Sequence, residues 1–151
     1  MRQRPWPDAL TPGKVAFALQ RLDPGVQPVV ADGMTYFFPG PDHRFPFATL
    51  QTSDSWLAPD LRLPGPGAFR LSFGVSAETF QSLDDGMSGG DDRATDDRLL
   101  PHPLHARTHW VCVTNPSART FVVLRPWLIE AIEKARQLTL GVRRSQRVTA
   151  G

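Results

Sequence analysis

Fifteen of the 151 residues are proline and twelve are glycine, and they punctuate the chain throughout. The proline content is about twice the ~5% average. Proline lacks a backbone N–H and fixes φ, so it is excluded from central strands and breaks helix interiors. A chain interrupted this often is expected to build short elements, and a sheet joined by turns rather than a helical bundle. The sharpest interruption is Asp32-Gly33, two residues set between the apolar runs Gln27 to Ala31 and Met34 to Phe38. A type I′ turn needs φ > 0 at both central positions, which Asp-Gly supplies, so the spacing predicts a β-hairpin.

The same reading extends along the chain. Phe45 to Thr52 alternates Phe45, Phe47, Thr49 and Gln51 with Pro46, Ala48 and Leu50. Ala68 to Gly74 turns Phe69, Leu71 and Phe73 toward a core and Arg70 and Ser72 away from it. Leu99 to Leu104, broken by Pro101 and Pro103, suits an edge strand or an extended lead-in. Trp110 to Val113 is a short buried strand ended by Asn115-Pro116; Trp110 and Cys112 share one face, and His109, Val111 and Val113 the other. Helical spacing marks Val15, Ala18, Leu19 and Leu22, with Thr11 as N-cap and Pro12 in the first turn. Ser76 should cap a short helix over Ala77 to Leu83, with Glu78 complementing its dipole. Leu124, Leu128, Ala131, Ala135 and Leu138 mark a closing helix, with Pro126 in its first turn and Gly141 just past its end. Trp110 and Leu128 are expected in one core. Arg2 to Asp8 reads as extended, and Ser53 to Leu57 as loop with one irregular turn.

These elements imply an α+β fold: a two-layer domain with an antiparallel sheet packed by N- and C-terminal helices. One domain over residues 1–141, with its core at about 15–140, fits the usual domain size. Residues 142–151 carry Arg143, Arg144 and Arg147 without an acid and read as a basic, flexible tail. Asp84 to Arg98 holds six aspartates against two arginines and reads as a solvated loop, without the Glu and spacing of an EF-hand. Hydrophobic content of 40% and charged content of 21% suit a soluble globule. No apolar run approaches the ~18 residues of a membrane span, and MRQRPWPDAL has no apolar signal region. One cysteine makes no internal disulfide, so a cytoplasmic location is expected.

The strings TYFF, FPFATL, PGAFRLSFGVSAETF, DRLLPHP and HWVCVTNPS, between Tyr36 and Ser117, make a set. With the helix that follows them they resemble MmcQ/YjbR-like proteins, and more closely a group of small bacterial proteins of unknown function carrying the same strings. The resemblance covers roughly residues 15–140. It implies the same α+β architecture and, by analogy of fold, nucleic-acid binding through the sheet. It implies no activity.

The chemistry-bearing residues concentrate in Leu99 to Pro116, which holds His102, His105, His109, Trp110 and Cys112. Along an extended chain His105 and His109 would lie about 13 Å apart, too far to share one zinc ion without a turn, so no metal and no cofactor is expected. Cys112, between two valines in a strand, should be buried and inert. No nucleophile elbow, P-loop, dinucleotide fingerprint or HExxH is present, and no catalytic residue is assigned. What remains is basic and aromatic: Arg44 beside Phe45 and Phe47, Arg70, and Arg107 with His109 beside Trp110. Guanidinium forks bind phosphate and carboxylate, and aromatic rings stack on bases. The leading expectation is a non-catalytic binding protein for an anionic partner, either nucleic acid or a small anionic ligand. Its site residues would be Arg44, Arg70, His102, His105, Arg107, His109 and Trp110. The alternative is a small-molecule-binding protein or enzyme with a pocket near Asp54, Arg70, His102 and Trp110.

Overall fold

A computed structural model describes residues 10–54, 61–87 and 96–150, excepting the side chains of 84–87 and 147–150. The expectations for residues 2–8, for the turn at 55–57 and for 88–95 of the acidic run lie outside the described residues.

Helix α1 (Pro12–Gln20) begins as its sequence dictates: Thr11 Oγ1 accepts from the Lys14 N–H at 3.2 Å, and proline opens the first turn. Strands β1 (Gln27–Ala31) and β2 (Met34–Phe38) form the expected hairpin. Asp32 and Gly33 adopt φ 51° and 72°. Strands β3 (Ala48–Gln51) and β4 (Arg70–Gly74) follow. Helix α2 (Ala77–Met87) is capped by Ser76 Oγ, which accepts from the Thr79 N–H at 3.1 Å. It continues past Leu83 through Asp84 and Asp85, because aspartate lowers helix propensity only by tenths of a kcal/mol once a capped turn has nucleated. Strand β5 (Leu99–Pro101), a 3₁₀ turn (Ala106–Thr108), strand β6 (Trp110–Thr114) and helix α3 (Ala118–Ala150) complete the order.

The six strands pair antiparallel in the order β1-β2-β3-β4-β6-β5. Register sorts the side chains. Phe37, Ala48, Phe73 and Val111 form one row, and Thr35, Leu50, Leu71, Val113 and Leu99 the next, on the same face. That apolar face meets Leu124, Leu128, Ala131, Ile132 and Ala135 of α3 and Val15 and Leu19 of α1 in one core. The molecule is therefore an α+β fold with the helices on one face of an antiparallel sheet.

Three local expectations are corrected. Pro126 lies inside α3 rather than in its first turn. Its ring is on the exposed side, and Val122, whose carbonyl loses the hydrogen bond, is 71% exposed, so water can replace the missing donor. Gly141 does not end the helix: α3 runs on through the basic segment to Ala150. One glycine costs about 1 kcal/mol in a helix, which the flanking leucine and arginine residues tolerate. Finally, Leu138 is 45% exposed, and the buried stripe passes to Thr139, whose hydroxyl donates back to the Ala135 carbonyl at 2.9 Å.

Candidate functional site: a cleft on the open face of the sheet

The face of the sheet turned away from the helices is not a plain solvent surface. Tyr36, Thr49, Ser72, Cys112 and Leu100 line up across five strands. Ser72 and Cys112 within that row are buried. Trp110 lies on this face too, so the expected Trp110–Leu128 core contact is corrected. Cross-strand from Trp110 is Gly74, and a Cβ there would stand 2.7 Å from the indole Nε1. The valines of β6 fill the core, and alternation sends tryptophan and cysteine to the other side.

The segment between β5 and β6 folds back over this face. His102 donates its N–H to the Trp110 carbonyl at 2.9 Å, which extends the pairing by one residue. Its ring then organises the turn: Nδ1 accepts from the N–H groups of Leu104 and His105, both at 3.1 Å. Two backbone donors on Nδ1 place the ring proton on Nε2. Burial, then the nearby His105 and Arg70 charges, pushes the His102 imidazole down to a pKa of about 4, so it is neutral near pH 7. His105 stacks on it with ring centroids 4.7 Å apart and meets Trp110 edge-on at 6.4 Å.

Beneath lies Arg70. Its guanidinium donates to Gln51 Oε1 at 2.9 Å and to the carbonyls of Leu61 and Arg62, both at 3.0 Å. It forms no ion pair among the described residues. Its role is to hold the 61–62 segment against the sheet, with its positive charge left close to His102 and Cys112. Burial raises the Cys112 thiol to a pKa of about 11, against a smaller opposing effect of Arg70, so the thiolate is disfavoured as expected.

Together these elements enclose a cavity of about 610 Å³ lined by Tyr36, Thr49, Leu61, His102, Leu104, His105 and Trp110, among others. Its size and its mostly apolar wall with a few polar groups are those of a small-molecule site. A larger groove, of about 1190 Å³, lies between the 64–69 turn and the start of α3. Most of its polar side chains, though not Arg119, are already engaged: Asp97 accepts from the Ser117 N–H at 2.7 Å, and Asn115 Oδ1 from the Phe69 N–H at 3.0 Å. The cleft is therefore the better candidate.

Of the residues singled out in the sequence, His102, His105 and Trp110 meet in the cleft, and Arg70 supports it from below. His109 turns elsewhere: with φ 67° it ends the 3₁₀ turn in the left-handed region, and its ring lies 5.6 Å from that of Phe80. Arg107 is exposed on the same turn. Arg44 sits apart, 3.5 Å from Asp42, which also meets Arg143 at 3.2 Å. Asp54 accepts from the Leu63 N–H at 2.7 Å and serves the loop, not the cavity. Sequence reasoning passes over Tyr36, Thr49 and Leu61. The available signal was the outward phase of β2 and β3, where the chain's one tyrosine and a threonine fall opposite the apolar row.

Among the described residues no group of three His, Cys, Asp or Glu side chains converges to hold a metal ion, and no helix is long and apolar enough to cross a membrane. No curated protein and no solved structure matches the chain. The model of a family of unknown function, DUF6194, matches residues 11–145, from the cap of α1 into the last turns of α3, and the chain belongs to that family.

Proposed function

We propose that the protein binds a small aromatic molecule in the cleft of the open sheet face. One observation carries this reading: His102, neutral and fixed as the Nε2–H tautomer, lines the cavity, and no acceptor for that proton is present among the described residues. That N–H opens on the cavity, where an acceptor on a ligand can take its hydrogen bond in place of water. The stacked His105 ring, Trp110 and Tyr36 supply the flat, polarisable walls that suit an aromatic guest. The antiparallel sheet closed by a terminal helix supports kinship with MmcQ/YjbR-like proteins. The unpaired thiol of Cys112 is in keeping with a reducing, cytoplasmic setting.

The nucleic-acid reading draws less support. Arg44 and Arg143 converge on Asp42, and Arg70 is spent on loop carbonyls, so these guanidinium groups are not aligned as a free basic face. A fragment screen of mono- and bicyclic heteroaromatics, read by ¹⁵N-correlated NMR, tests the proposal. The Trp110 indole N–H and the His102, Leu104 and His105 amides should move, while the Trp127 indole on α3 stays still. A panel that moves none of the cleft signals at millimolar fragment would rule the site out.

A further inference from the structure

Beyond Trp110 lies a second cavity, of about 500 Å³, at the end of β4 and the start of β6. Pro46, Thr108 and Trp110 line both spaces, so they meet at this one rim. Gly74 lines the second space only, and the indole Nε1 edge lies over it. The two cavities differ in charge. Arg107 and Lys134 line the second, and among the described residues no acidic side chain does. Arg107 makes no ion pair among the described residues.

Lys134 donates to the carbonyls of Val75 at 2.6 Å and Thr108 at 2.9 Å, which occupies two of its three N–H groups. Glu130, one turn earlier, directs Oε1 to the hydroxyls of Thr79 at 2.7 Å and Ser76 at 3.1 Å and forms no ion pair with it. Burial lowers the Lys134 pKa, with Glu130 opposing the shift, which marks an ammonium partly removed from water. Around these cations the wall is apolar: Phe45, Pro46, Ala131, Ala135 and Leu138. Two cations without a contacting carboxylate, in an apolar recess beside an aromatic cleft, favour a monoanion attached to an apolar body.

We infer that the ligand is an aromatic carboxylate, its ring held in the cleft against His105, Trp110 and Tyr36 and its carboxylate carried round Trp110 to Arg107 and Lys134. This rests on the cleft proposed above and adds the anionic end of its ligand. The test uses the full chain and a graded series of probes: benzoate, phenylacetate, 3-phenylpropionate and 4-phenylbutyrate, each beside its neutral amide. Affinities are measured by NMR titration.

One of the longer acids should bind at least about tenfold more tightly than its amide, since a charge-assisted contact is gained. Its advantage should shrink in high salt, because Arg107 is exposed. Arg107→Gln should bring that acid to within about threefold of the amide and leave amide binding unchanged. Equal binding of acids and amides in the wild type would overturn the inference while leaving the aromatic cleft standing. So would an acid preference that survives Arg107→Gln and moves no Thr108 or His109 amide. If no member binds but other aromatic fragments do, the carboxylate assignment alone falls. If no aromatic compound binds at all, the cleft falls with it.

Discussion

His102 keeps its Nδ1 for two backbone N–H groups, and protonation would turn that acceptor into a donor facing donors. Unfolded, the ring titrates near the ordinary 6.5; folded, near 4. Between those values the unfolded chain binds more protons, so stability rises with pH. The contribution is complete above the unfolded value and is lost as pH falls toward the folded one, at most about 3 kcal/mol. His102→Asn keeps an oxygen acceptor for the turn and removes the titration. Urea titrations at about pH 4.5 and about pH 7 should then show a smaller stability difference than in the wild type; an unchanged difference would assign the slope to another group. Gly74 answers to a different constraint, since a methyl group there would meet the Trp110 indole at under 3 Å. Gly74→Ala should cost about 1–3 kcal/mol through overpacking and shift Trp110 emission as the ring is displaced. The caps at Thr11 and Ser76 and the Asp32-Gly33 turn were legible because each is fixed by neighbours in sequence. The left-handed His109 was not, because histidine carries no local demand for φ > 0 and the turn that imposes it is set by tertiary contacts.

Helix α3 shows how far sequence periodicity carries an element. Leu124, Leu128, Ala131 and Ala135 were readable as its buried stripe, and Leu128 is fully buried. Leu128→Ala should cost about 2–5 kcal/mol by denaturant titration; a loss below about 1 kcal/mol would mean that the helix does not dock through this stripe. Its ends were not readable. Pro126 and Gly141 suggest boundaries, yet the helix passes through both, because the first is exposed and the second carries only a propensity cost. The site was legible to the same degree. The HPLHARTHW stretch announced a concentration of imidazole and indole, and His102, His105 and Trp110 do meet. Their partners Tyr36 and Thr49 come from strands far away in sequence, and only the register of the sheet brings them across. Arg70 was read as a free fork because its hydrogen bonds go to Gln51 and to loop carbonyls that no motif marks.

Across the whole molecule, sheet order sets a gradient of protection. β3 and β4 have neighbours on both sides and contribute Leu50, Leu71 and Phe73 to the core, whereas β1 and β5 are edges. Native-state hydrogen exchange should find the β4 and β6 amides among the slowest, and those of β1 that face away from β2 among the fastest. Protection in β1 equal to that in β4 would indicate that something covers the edge. The order also places β6, late in the chain, between β4 and β5. During vectorial synthesis the first four strands can therefore assemble while the two rows that end at Leu71 and Phe73 still lack both their β6 neighbours, Val113 and Val111, and helix α3. A nascent chain arrested before β6 would present that apolar face to the ribosome surface and to chaperones, and release into a lasting fold would await the emergence of α3.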